Sequence, residues 1–115
     1  MMTTTIHSET YVFGKDVSPV EMLPGITRKT LSYSDRFMVC EIHLAKDAYL
    51  PPHHHIHEQS SNIISGSLLY EVGDESRVVG PGDSVLLLPN VPHAVKALED
   101  TVVLDIFTPL RKEYI

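Results

Sequence analysis

The sequence predicts an all-β fold in a single domain. Three observations carry that expectation: period-2 alternation with β-branched runs, turn chemistry at short intervals, and the absence of any long helical periodicity. The 115 residues suffice for one closed core and are too few for two. No internal repeat, low-complexity tract or linker divides the chain. Many short strands separated by turns read as a sandwich or a barrel.

The elements follow in order. Residues 1–25 are expected to form an N-terminal arm, with one helical turn near Val17–Leu23 ended by Pro24-Gly25. Strands are expected at Thr27–Leu31, Phe37–Leu44, Ser61–Ile64, Ser67–Val72, Val85–Leu88, His93–Ala97 and Thr101–Thr108. The breaks between them are Pro51-Pro52, Ser65-Gly66, Gly73-Asp74, Gly80-Pro81-Gly82-Asp83 and Leu98-Glu99-Asp100. Tyr114 and Ile115 are expected to form a short tail.

Composition excludes several classes of partner. A hydrophobic fraction of 43% argues against disorder. A net charge of -6 without any Lys/Arg run gives no general attraction for nucleic acid or anionic lipid. MMTTTIHSET lacks the basic and apolar stretches of a secretory signal, and no window is long and apolar enough for a membrane helix. The single cysteine, Cys40, cannot form an internal disulfide and is expected to be a buried strand thiol. A reducing, cytoplasmic setting is expected.

The histidines carry the strongest chemical signal. Four of the seven lie in HHHIH at 53–57, and a fifth is His93. Side chains two apart on a strand share a face, so His53 and His55 project together while His54 projects away. Gln59 continues that parity; Glu58, its rival as an oxygen ligand, faces outward if the backbone stays extended. His57 shares the odd-numbered face and suits a surface, packing or ligand-contacting role. His93 heads a later strand, and apolar Val95 beyond it shares its face, which suggests an inward direction. Three imidazoles and one amide oxygen make a reasonable ligand set for a divalent ion, Zn, Ni, Fe or Mn. Such a set is neutral, leaves the ion's full double positive charge in place, and favours a small anionic ligand such as a sugar acid. His43, in MVCEIHL with Glu41, reads as a satisfied sheet histidine.

Asp105 stands out on the last strand. Val102, Leu104 and Ile106 share one face and Val103, Asp105 and Phe107 the other, so a carboxylate interrupts an apolar stripe. A buried carboxylate needs a cation, a hydrogen-bond network or a chemical task. Two readings stand: a strand-edge partner of Arg111 or Lys112, or a functional group.

These residues resemble the two motifs of the cupin superfamily. His53, His55, Gln59 and Gly66 match the spacing of the first motif, and Gly82 and His93 match the outer spacing of the second. Asp47 stands where the first motif begins with Gly, Gln59 replaces its Glu, Asn90 replaces the Gly of the second, and Ala97 replaces its final Asn. The resemblance implies a double-stranded β-helix, or jelly-roll barrel, holding one divalent metal ion. HIHEQ, PNVPHAVKALEDTVVLDIF and the following PLR resemble more closely the small cupins of the pectin-degradation type. That resemblance implies ring opening of 4,5-unsaturated monouronates to linear 5-keto-4-deoxyuronates. It implies metal ligands at His53, His55, Gln59 and His93, and catalytic roles for Asp105, Phe107 and Arg111. Asn62 and Thr108-Pro109-Leu110 depart from that pattern. Small cupins of this kind are often two-fold dimers with N-terminal strands added to the partner's sheet, and Thr10–Phe13, with Tyr11 and Phe13, suits such an edge strand.

Fold alone does not select chemistry. A non-catalytic metal-dependent module that binds or senses a small acid is the main alternative. A cupin dioxygenase is the second, although these usually keep a carboxylate ligand where Gln59 stands.

Overall fold

The computed structural model describes residues 5–115. Ten strands form two antiparallel sheets, and the only helical pieces among the described residues are two 3-10 turns, Gly14–Asp16 and Lys112–Tyr114. The strands are β1 (Val20–Leu23), β2 (Ile26–Ser34), β3 (Phe37–Leu44), β4 (Tyr49–His53), β5 (Glu58–Ser65), β6 (Leu68–Val72), β7 (Glu75–Val79), β8 (Ser84–Leu87), β9 (His93–Ala97) and β10 (Thr101–Thr108). The larger sheet runs β1-β2-β3-β10-β5-β8 and the smaller β4-β9-β6-β7. The two inner faces enclose the core.

Alternation explains which face of each strand is inside. Met38, Cys40, Ile42 and Leu44 of β3 are buried, as are Gln59, Ser61 and Ile63 of β5. β10 lies between them, pairing Asp105 with Cys40 on one side and Ser61 on the other, and Phe107 with Met38 and Gln59. Period-2 geometry therefore carries Val103, Asp105 and Phe107 into the interior together. The thiol of Cys40 is fully buried.

Two local expectations are corrected. Val17–Leu23 contains no helix: Val20–Leu23 is an edge strand paired with β2, and Pro24-Gly25 makes the hairpin turn, with Gly25 at φ 79°. Pairing with an adjacent strand outweighs the weak local helical signal. Pro51-Pro52 does not break the chain but sits inside β4, the edge of the smaller sheet, where a missing N–H costs no ladder bond. Strands β1, β4 and β7 were absent from the sequence-based expectation.

The motif departures have backbone explanations. Among the described residues Asp47 and Asn90 are the two non-glycine residues with positive φ, 72° and 65°, both at positions where the cupin motifs carry Gly. Asn and Asp are among the few residues that tolerate this left-handed region. Gly66 has φ 91°, and a Cβ there would overlap Thr101 and the Asp100 carbonyl, so a side chain at this turn has neither conformation nor space. Among the described residues Thr10–Phe13 joins no strand, and its Tyr11 and Phe13 are exposed.

Candidate metal centre and active site

Three separate segments bring the histidines together. His53 closes β4 and pairs directly with His93 at the start of β9. His55 lies in the bend between β4 and β5, pinned by the Asn90 amide donating to its carbonyl at 2.8 Å. The ring centroids of His53 and His93 are 4.2 Å apart, and those of His55 and His93 5.0 Å. One nitrogen from each of the three rings lies within 4.8 Å of the others.

Each ring is oriented by a backbone carbonyl two residues away. His53 Nδ1 donates to Pro51 O at 3.0 Å, His55 Nδ1 to His57 O at 2.8 Å, and His93 Nδ1 to Val91 O at 2.9 Å. A carbonyl only accepts, so each Nδ1 carries the proton and each neutral ring presents its Nε2 lone pair. His93 Nε2 is buried without a hydrogen-bond partner. Burial lowers the His93 pKa to about 4, with the Val91 hydrogen bond opposing the shift and the nearby His53, His55 and Arg111 adding to it. Burial and Arg111 likewise lower that of His55. Both rings stay neutral at neutral pH, the form that binds metal.

Gln59 places an amide oxygen beside the imidazoles. It is buried, and its Oε1 lies 3.1 Å from His55 Nε2. Two lone pairs face each other there unless a cation lies between them or the amide turns its NH2 inward. Glu58 points outward and is exposed, as is His54. The orphaned Nε2 of His93, the fixed tautomers and the Gln59 oxygen together fit a divalent cation. His57 is partly buried and packs edge-on to His55, with centroids 5.7 Å apart and an unpartnered Nδ1. His43 is exposed and bonds Glu41 at 2.6 Å, away from the site.

The cavity under the histidines is walled by Asp105, Phe107, Arg111, Tyr70 and Tyr114 together with aliphatic side chains. Asp105 forms no ion pair with Arg111 or Lys112, and its Oδ1 is buried without a hydrogen-bond partner. The strand-edge ion-pair reading is thus overturned: β10 register turns the carboxylate inward, while Arg111 Nε donates instead to Glu113 at 3.0 Å. Burial raises the Asp105 pKa from 3.8 to about 6, with Ser61, Gln59 and Arg111 pulling it back. Phe107 packs edge-on to His55 at 6.0 Å, and the Arg111 guanidinium lies 5.2 Å over the Phe107 ring. Asn62 lies on the outside of the sheet, donating to Leu104 O at 3.2 Å and accepting from Ser84 Oγ at 3.0 Å. Its departure from the family pattern does not reach the cavity.

Sequence reasoning missed Arg28, Tyr70 and Tyr114. Tyr114 is no loose tail: its ring meets Arg28 and Arg111, each at 4.1 Å, and its carbonyl accepts from Thr30 Oγ1 at 2.6 Å. That last contact spans 84 positions of sequence, and no local pattern announces it.

Comparison with known proteins agrees with this geometry. The Cupin_2 family, described as a cupin domain, matches residues 40–107. The pectin degradation protein KdgF of Dickeya dadantii (strain 3937) is 36% identical over 106 residues, covering 90% of this chain and 96% of that protein. The crystal structure of an RmlC-like cupin from Shewanella frigidimarina NCIMB 400 superposes with a TM-score of 0.91 at 27% identity, covering 95% of this chain and 98% of that one. KdgF from Halomonas sp. gives a TM-score of 0.89 at 26% identity, covering 94% of this chain and 100% of that one. The paired histidine strands, the buried glutamine and these similarities converge: the chain belongs to the cupin family, in the group that includes the pectin degradation protein KdgF.

Proposed function

We propose that this protein opens the ring of 4,5-unsaturated monouronates, giving linear 5-keto-4-deoxyuronates. The observation that supports this most is the inward-facing Asp105 carboxylate, with no ion pair and with its Oδ1 lacking a hydrogen-bond partner, in the same cavity as the histidine cluster and Arg111. The likeness to KdgF adds the class of substrate, pectin-derived acids.

The reaction is an isomerisation without net gain or loss. The O1 hydroxyl loses its proton and C1 becomes a carbonyl as the C1–ring-oxygen bond breaks. The ring oxygen becomes the C5 carbonyl oxygen, and C4 gains a proton. His53, His55, Gln59 and His93 would hold one divalent ion, which supplies Lewis-acid polarisation of substrate oxygens when bound. Asp105, with a pKa near 6, is poised to take the hydroxyl proton and return one to C4. Arg111 holds the carboxylate in a bidentate fork. Phe107 packs against the sugar face and keeps water from the enol.

The substrate's conjugated double bond absorbs in the ultraviolet and the product does not. Loss of that absorbance on adding metal-loaded protein, without oxygen uptake, is the expected result. Tight acid binding with a stable absorbance would leave a binding module instead, and oxygen uptake would indicate a dioxygenase. A homodimer docked through Thr10–Phe13 and a cytoplasmic setting belong to the same reading. Sedimentation of a Tyr11→Ser, Phe13→Ser variant as monomer would support the former.

A further inference from the structure

The cavity as it stands offers little enclosed room for the substrate proposed above. Its free volume is about 50 Å³, whereas pockets for small organic ligands run from roughly 300 to 1,000 Å³. A shift of part of its wall would make room for a sugar acid. Most of that wall is strand: Asp105, Phe107, Gln59, His93 and Tyr70 are locked in ladders on both sides. Tyr114 is not.

The segment that carries Tyr114 pairs with no strand. One side-chain hydrogen bond, from Thr30 Oγ1 to the Tyr114 carbonyl, joins it to β2. Its aromatic ring contacts the guanidinium carbons of Arg28 and Arg111, each 4.1 Å from the ring centroid, and meets Phe107 edge-on at 5.9 Å. The two guanidiniums thus share one ring as their common neighbour. Among the described residues Arg28 forms no ion pair, and its side chain donates only to Thr30 Oγ1 at 3.2 Å. Arg111 also donates to the exposed carboxylate of Glu113 at 3.0 Å, whereas Arg28 has no anionic partner among these residues; a carboxylate between the two guanidiniums would satisfy Arg28 in a way that the ring cannot.

We propose that Tyr114 is a gate over the cavity, and that Arg28 joins Arg111 in binding the carboxylate of a sugar acid once the ring swings aside. This deepens the uronate reading and rests on it for the substrate class. It makes Arg28 a substrate-binding residue and Tyr114 a control on access.

The test uses metal-loaded protein and galacturonate, which lacks the double bond and reports binding without turnover, with galactose as the neutral control. Calorimetry is expected to show galacturonate preferred over galactose. Arg28→Gln should weaken galacturonate by about 10-fold, the loss of one charge-assisted contact, and leave galactose unchanged. In stopped-flow mixing, Tyr114→Ala should bind galacturonate several-fold faster than wild type, while Tyr114→Phe, which keeps the ring, should match wild type. Arg28→Gln with unaltered galacturonate affinity, or Tyr114→Ala with an unaltered association rate, would overturn the proposal. These variants dissociate the two claims. Unsaturated uronate turned over by a protein indifferent to both changes refutes the gate alone. Galacturonate binding that depends on both residues, without turnover, refutes the ring-opening reaction alone.

Discussion

His53 and His93 face each other directly across the β4–β9 ladder, with ring centroids 4.2 Å apart. Neither strand could hold an ion alone; register between them creates the site. His93→Ala should therefore lower metal affinity by more than the ~10–100-fold that follows loss of a ligand's hydrogen-bond partner. His54→Ala, on the exposed side, should retain wild-type metal content. Elemental analysis after dialysis distinguishes the two.

The proposed ligand set is neutral, so Gln59→Glu would add one negative charge beside a bound ion. Metal should bind more tightly and saturated sugar acids more weakly, because the added carboxylate cancels part of the charge that attracts them. Titration calorimetry with metal and then with galacturonate measures both effects. Equal affinity of acidic and neutral sugars in the wild type would contradict the charge argument.

Asp105→Asn should keep the ion and the fold and slow turnover by ~10²–10⁴-fold, the usual scale of a lost acid–base group. In metal-free protein the same substitution has a signed effect on stability. The folded-state pKa near 6 exceeds the unfolded 3.8, so between these values the folded chain binds more protons. Wild-type stability then falls as pH rises from about 4 to 6, by at most about 3 kcal/mol. Asp105→Asn should lack this slope, which thermal melts across that range would show.

Burial raises the Cys40 thiol to about 11, with Asp105 adding to the shift and Thr30, Arg28 and Arg111 opposing it. Since the thiolate is the nucleophile, native protein at pH 8 should resist alkylation and react promptly in denaturant. Rapid labelling of native protein would contradict the closed core around β3.

Much of the fold was legible because strands announce themselves locally. The alternation of MVCEIHL and TVVLDIF is enough to place β3 and β10 and to single out Asp105. The parity of HHHIHEQ separates His53, His55 and Gln59 from His54 and Glu58, even though β4 ends at His53 and His55 follows in a bend. What local patterns left out was long-range. β1 is a strand only because β2 pairs with it, and Pro51-Pro52 fits a strand only because β4 is an edge. The cavity position of Tyr114 depends on Arg28 and Thr30, at the other end of the sequence. Spacing and periodicity report neighbours along the chain, not contacts closed by the barrel.

The central claim is that Nε2 of His53, His55 and His93 and Oε1 of Gln59 meet on one ion. Anomalous diffraction from a zinc- or nickel-loaded crystal tests it most directly. The account predicts a single strong peak inside the barrel, about 2.0–2.2 Å from each of the four atoms. A peak that leaves out His93, or metal bound only at exposed histidines such as His54, would contradict it.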